Sequence, residues 1–126
     1  MFHSGFVYCL LTAHNSLFTF LATKFHSWGS YKDGKLGIQT DRDHVEPIEM
    51  EFFRGKNVVR IAAGCDHSAV VTAEGDVYTW GFGQHGALGL DDLLDSPMPR
   101  KVTRFQGAAP IVDVQCGMDL TLVETL

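Results

Sequence analysis

Trp-Gly occurs twice in this chain, at Trp28-Gly29 and Trp80-Gly81, and the two occurrences stand 52 residues apart. Gly34 and Gly86, Leu36-Gly37 and Leu88-Gly89, and Pro47 and Pro99 keep the same separation. Downstream, Val58–Thr72 aligns with Ile111–Thr125 at a separation of 53, matching Gly64 with Gly117 and Asp66 with Asp119. Upstream, Thr12–Gly29 can be laid on Gly64–Gly81, but only Ser16, Trp28 and Gly29 agree, so residues 1–25 read as a degenerate or atypical first segment. A chain of 126 residues that repeats itself at this period must be an array of similar units, each covering its neighbour's apolar face.

Each unit reads as β-structure. Val58–Ala63 is a β-branched run closed by Gly64, and Ser68–Thr72 is a second strand. Ala73-Glu74-Gly75-Asp76 is a turn with glycine where a positive φ is needed, and Val77–Trp80 completes the hairpin. Lys101–Phe105 alternates charged and apolar side chains, as a half-exposed outer strand would. Asp91–Asp95 has room for one helical turn at most, and no helix-length apolar period appears between Trp28 and Leu126. Four short strands per unit of about 50 residues is the pattern of a β-propeller blade. The fold class expected is therefore all-β, a partial propeller of two to two and a half four-stranded antiparallel blades, with tandem repeats over residues 26–126, near 28–79 and 80–126. Trp28 and Trp80 are the expected wedges between blades, each followed by a glycine that lets the chain turn close to its neighbour.

WGFGQHGALGL, at Trp80–Leu90, contains G-x-G-x-x-G, which in another setting would cradle a dinucleotide. That reading needs a helix directly after the glycines and an acid about 20 residues on. Gly89, Pro97 and Pro99 interrupt any helix, and the position matching Gly83 in the sister copy is Tyr31. The glycines shared by both copies are turn residues, and no cofactor is expected.

Charge and composition narrow the function. A formal net charge of −5 without any Lys/Arg run argues against binding a nucleic-acid backbone. Cys9, Cys65 and Cys116 are an odd count at spacings that fit no zinc or disulfide framework, and read as free thiols in a reducing, intracellular setting, cytoplasmic or nuclear. Cys65-x-His67 has no second ligand pair, so no metal is expected. Met1–Thr23 carries no charged residue, and polar residues break it before a membrane span could form. FVYCLL and SLFTFLA within it read as buried strands, a secretory signal being the alternative.

Gly64-Cys-Asp-His67-Ser68-Ala-Val-Val-Thr-Ala-Glu-Gly75-Asp-Val-Tyr-Thr-Trp80-Gly81, followed by Gly86-Ala-Leu88-Gly89, resembles the repeat of the regulator-of-chromosome-condensation family. The resemblance covers one full repeat, a second in part at Ile111–Leu126, and the Trp28–Pro47 half of a preceding one. It implies a ring of seven four-stranded blades. It also implies a range of roles, because the family's founding member exchanges nucleotide on a small GTPase and docks on nucleosomes, while others are scaffolds, parts of ubiquitin ligases or a plant light sensor. Seven such blades need roughly 360 residues, so this chain is expected to be a piece of a ring, completed by further blades or by self-association.

Several positions merit functional weighing. Asp66-His67-Ser68 lacks the spread over separate loops that a hydrolase triad needs, and His67 with Ser68 is expected to cap a strand or bridge to the next blade. Asp66 and Asp119, at matching positions, are candidates for a partner-binding rim. So is the loop bearing Asp91, Asp92, Leu93, Leu94 and Asp95, where exposed leucines could meet a partner. The matching Thr40–Glu46 segment is also acidic, and two acidic loops on one face could steer a basic partner. DDLLD does not place ligands as a calcium loop requires. The reading that results is a non-catalytic protein-interaction module, a scaffold piece that binds other proteins, small GTPases and ubiquitin-pathway components being the classes implied. A fragment of a guanine-nucleotide exchange factor is the alternative.

Overall fold

The computed structural model describes the backbone of residues 8–11, 16–21 and 24–126, with side chains from Lys24 onward. What the sequence suggests for residues 1–7, 12–15 and 22–23, and for the Cys9 thiol, lies outside the described residues.

All strand pairing is antiparallel. Strands β1 (Tyr8–Leu11), β2 (Ser16–Leu21), β3 (Lys24–Gly29) and β4 (His44–Glu49) form one sheet in that order. Strands β5 (Val58–Ala63), β6 (His67–Thr72), β7 (Val77–Gly81) and β8 (Ser96–Lys101) form a second in the same order. Strands β9 (Ile111–Cys116) and β10 (Thr121–Thr125) pair as the beginning of a third. The first strands of successive sheets, β1, β5 and β9, are neighbours in space. This is a partial β-propeller: two full blades and the inner half of another, packed face to face around the side where those first strands lie. Among the described residues no helix is long and apolar enough to cross a membrane.

The sequence repeat and the blade are out of phase. Trp28 and Trp80 each fall near the end of a blade's third strand, so one repeat holds the outer edge of one blade and the inner strands of the next. The covalent chain thereby ties neighbouring blades together, which an in-phase repeat would do only through its linkers.

Burial explains why the strands differ. Every residue of β6 and β7 is buried, because both faces of the central blade are covered by other blades. At the outer edge, Lys101–Phe105 does not form the expected strand. The strand is β8, Ser96–Lys101, and Thr103–Phe105 is a single 3-10 turn. Pro97 and Pro99 fit in this strand because an edge strand has one side with no ladder to supply, so a missing N–H costs little there. The Pro97 carbonyl, on the same side as its nitrogen, accepts the Gln39 N–H from the preceding blade at 3.1 Å.

The seam between the two full blades is aromatic. Trp80 is fully buried, its ring 6.3 Å from Phe25 and 5.7 Å from Phe53. Its Nε1–H donates to the Lys35 carbonyl of the preceding blade at 3.0 Å. Gly37 lies against the indole, where a Cβ would stand 2.8 Å from Nε1. Gly81 has φ +107°, and a side chain there would strike the Asp66 carbonyl and the His67 backbone. The shared glycines adopt matching conformations in the two copies: φ is 113° and 107° at Gly29 and Gly81, 76° and 79° at Gly34 and Gly86, and 70° and 66° at Gly37 and Gly89.

Because Trp80 joins two blades, Trp80→Ala is expected to cost about 3–5 kcal/mol of stability in urea unfolding. Trp80→Phe should cost less, on the order of 1–3 kcal/mol, since it mainly leaves the Lys35 carbonyl unpaired. Equal losses for the two variants would show that the buried ring contributes nothing beyond the hydrogen bond, and would contradict this account.

Candidate functional site

Strand direction gathers the sequence candidates onto one rim. β6 starts opposite the end of β7, with His67 across from Gly81, so the β5–β6 turn and the long β7–β8 loop emerge at the same end of the blade. The same alternation puts the β3–β4 loop and the β9–β10 turn there as well. Asp66, Asp119 and the Asp91–Leu94 tip therefore share an edge of the propeller.

The β7–β8 loop, residues 82–95, is held by a set of short bonds. Thr79 Oγ1 donates to the Leu88 carbonyl at 2.7 Å, and the Gly83 N–H donates to Asp95 Oδ1 at 2.9 Å. The Gly86 N–H reaches the Gly83 carbonyl at 3.0 Å. Asp91, at φ +66°, accepts from Arg104 Nε at 2.6 Å. Asp92 accepts the Leu94 N–H at 3.0 Å with one oxygen and meets Arg100 at 3.4 Å with the other. The side chains of Leu93 and Leu94 are left outside this framework, the residues being 62% and 66% exposed.

The β3–β4 loop repeats the framework one period earlier. Ser27 Oγ donates to the Leu36 carbonyl at 2.8 Å, and the Tyr31 N–H donates to Asp43 Oδ1 at 3.1 Å. Gln39, at φ +50°, takes a positive φ like its counterpart Asp91. The tips differ: where one loop shows Leu93-Leu94, the other has Asp41-Arg42. The two copies thus share what holds the loop and differ in what it presents. Asp43 and Asp95, read from sequence only as acidic loop residues, are staples in both. Their separation of 52 residues was the signal that could have shown it.

Asp66 and Asp119 each reach back across a seam to a base on the preceding blade's loop. Asp66 Oδ1 lies 3.1 Å from Nζ of Lys35, whose side chain is 2% exposed. Asp119 Oδ1 lies 3.2 Å from His85 Nδ1, and both partners are largely open to water. Sequence reasoning missed Lys35 because its counterpart in the next copy is Ala87, so the repeat did not mark it.

His67 bridges two blades. The Thr121 hydroxyl of β10 donates to the Ala87 carbonyl at 2.8 Å and accepts from His67 Nε2 at 2.9 Å. Burial holds the ring's pKa below its ordinary value, opposed by the Leu120 carbonyl, Asp119 and Asp66. Ser68 is fully buried and its Oγ has no hydrogen-bond partner, so His67 and Ser68 do not form a nucleophile and base. The Cys116 thiol, 4.0 Å from Thr121 Oγ1, is pushed up to about 11 by burial. Among the described residues no three His, Cys, Asp or Glu side chains converge on a metal position.

Two measurements check these assignments. Asp66→Ala strands the buried Lys35 ammonium, and a loss on the order of 2–3 kcal/mol is expected, below that of a fully enclosed pair because Asp66 retains some solvent. Adding Lys35→Met should recover most of it in the same urea titration. For His67 the unfolded ring titrates near 6.5 while the folded ring resists the proton. Its contribution is therefore full above that pH and falls as pH drops below it, by at most about 1.4 kcal/mol per unit. The stability lost between about pH 7.5 and about pH 5.5 should be smaller in His67→Gln than in the wild-type chain.

Comparison with known proteins agrees with this architecture. A family model described as the regulator of chromosome condensation (RCC1) repeat matches residues 24–71 and 74–123, and a second model of that description matches 58–87. The E3 ubiquitin-protein ligase HERC2 of Homo sapiens is 47% identical over 92 residues, which is 73% of this chain and 2% of that protein. The ultraviolet-B receptor UVR8 of Arabidopsis thaliana is 38% identical over 96 residues, 76% of this chain and 22% of the receptor. The crystal structure of Prp20p from Saccharomyces cerevisiae superposes with a TM-score of 0.82 at 21% identity, over 98% of this chain and 32% of Prp20p, a likeness of fold alone. The chain spans under a third of each of these proteins.

Proposed function

This chain belongs to the regulator of chromosome condensation (RCC1) repeat family, and on that premise we propose that it is a non-catalytic protein-interaction module that meets its partner through the tip of the β7–β8 loop. The observation that carries the reading is the exposed Leu93-Leu94 pair on a loop whose backbone is already fixed by Thr79, Asp92, Asp95 and Arg104. A fixed loop loses little conformational freedom on binding, so apolar side chains at its tip contribute more of their burial to affinity. The acidic residues beside them are poorer candidates for steering a basic partner, because Asp91 and Asp92 are engaged by Arg104 and Arg100.

The partner class proposed is a folded protein with an apolar recess. HERC2 is named a ubiquitin ligase, and the Prp20p structure is titled with binding to Gsp1p and histones. The exchange-factor alternative draws on that structural likeness, and the ubiquitin pathway on the sequence likeness. We place the protein inside the cell, in the cytoplasm or nucleus, a setting that accords with the free thiol of Cys116.

Proximity labelling in cells with the chain as it stands, and with Leu93→Asp and Leu94→Asp together, tests the reading. The double variant should keep its unfolding midpoint, since neither leucine is buried, and lose the proteins that the wild-type chain labels, with binding weakened about tenfold or more for each purified partner. An unchanged set of labelled proteins would overturn the assignment of this loop. Accelerated nucleotide release from a small GTPase on adding the chain would favour the exchange-factor reading instead.

A further inference from the structure

The two rim loops share their internal staples but are tied differently to the outer strand that follows. In the second blade two ion pairs close that space: Arg100 meets Asp92 at 3.4 Å, and Arg104 meets Asp91 at 2.6 Å. Displaced by 52 residues, those four positions are Ile48, Thr40, Phe52 and Gln39, so the first blade has neither pair. The Thr40 hydroxyl pairs instead with His44 Nε2 at 2.7 Å. All four residues line an open groove of about 900 Å³. Across it, Pro97 and Met98 of β8 form the opposite wall, so the groove belongs to the seam between the two four-stranded blades.

The groove is apolar at its base and acidic at its lip. Met50 beneath it is buried, Phe52 and Met98 are partly open, and Ile48 is 37% exposed. On the lip Asp41 is exposed, and among the described residues no base is paired with it. Glu51 is 78% exposed and lies 3.6 Å from Arg54, whose guanidinium is bonded to Glu49 at 2.8 and 3.0 Å. Arg42 is the base that lines the groove, and Lys56 Nζ covers one face of the Phe52 ring at 4.4 Å. Addition of a strand is disfavoured on both sides. Pro47 in β4 and Pro97 and Pro99 in β8 have no N–H to offer, and the Pro97 carbonyl already accepts from Gln39. An occupant must therefore be held by its side chains.

We propose that this groove binds an extended segment of another protein in which an arginine stands beside an apolar side chain. The arginine supplies from the partner what Arg100 and Arg104 supply within the second blade, pairing with the lip carboxylates of Asp41 and Glu51. Its apolar neighbour enters between Ile48 and Met98. Arginine suits the place better than lysine, because a planar guanidinium can pair with carboxylates while lying against an apolar wall. Neither Leu93 nor Leu94 lines the groove, so this site is separate from the β7–β8 loop tip.

The probe is the blocked peptide acetyl-Ala-Leu-Arg-Leu-Ala-amide, titrated into the isotope-labelled chain and followed through its amide NMR signals. Shifts should concentrate at Gln39, Thr40, Asp41, Ile48, Phe52 and Met98. Citrulline in place of the arginine keeps the shape and removes the charge, and should weaken binding about tenfold or more. Thr40→Asp together with Ile48→Arg transplants the Asp92–Arg100 pair into the first blade. That variant should close the groove and abolish the shifts while circular dichroism keeps its β-sheet form. Leu93→Asp with Leu94→Asp should leave the shifts unchanged, which keeps this test apart from that of the loop tip. No shift at the groove with the peptide at millimolar concentration would overturn the proposal. So would equal binding of the citrulline peptide, or undiminished binding by the folded transplant variant. If the transplant fails to fold, the mapping and the citrulline comparison on the wild-type chain still decide the matter.

Discussion

The Trp80 indole between two blades is the contact on which this structure turns. A propeller blade has two apolar faces and no core of its own, so each must be closed by a neighbour. Trp80 closes one seam with its ring among Phe25, Met50 and Phe53 and fixes the approach with one hydrogen bond to the Lys35 carbonyl. That carbonyl sits at the entry to Leu36-Gly37, so docking the indole also positions the loop that leads to the rim. Gly81 directly after the tryptophan, and Gly37 beneath it, are needed because a side chain on Gly81 would strike the Asp66–His67 backbone of its own blade and one on Gly37 would strike the Trp80 ring and Met50.

Around that apolar closure, polar groups set the angular relation between blades. Lys35 with Asp66, and His67 with Thr121 and the Ala87 carbonyl, each span a seam. A buried ion pair adds little net stability, but its geometry is demanding and disfavours a slipped arrangement of the blades. The rim loops follow a division of labour. Ser27 and Thr79, Asp43 and Asp95, and the paired glycines hold both loops alike, and the tip residues are free to differ. The tip residues, Asp41-Arg42 in one loop and Leu93-Leu94 in the other, differ while the bonds that hold the two loops stay alike.

Much of this was legible before any coordinates. The short strand runs at Ser68–Thr72 and Val77–Trp80, the Gly75 turn and the two Trp-Gly pairs are local signals, and the strands and turn they indicate are present. Lys101–Phe105 misled because its alternation resembles a half-exposed strand, while two prolines hid the real edge strand next to it. Asp66 and Asp119 looked like free acids on a rim, and nothing in the spacing announced that Lys35 and His85 would come to meet them. Those bases lie 31 and 34 residues away, in loops that differ between the copies at those positions.

By itself the sequence determined that this chain is a tandem β-array of propeller type, with Trp-Gly pairs and glycine turns at fixed positions. Period, turn chemistry and apolar patterning are local properties that recur, and recurrence makes them readable without knowing what touches what. Tertiary structure decided which acids are spent on seams, which loop tip remains exposed, and which side chains enclose Trp80. Those outcomes depend on which blade face meets which loop, a relation between residues far apart in the chain that no local pattern encodes.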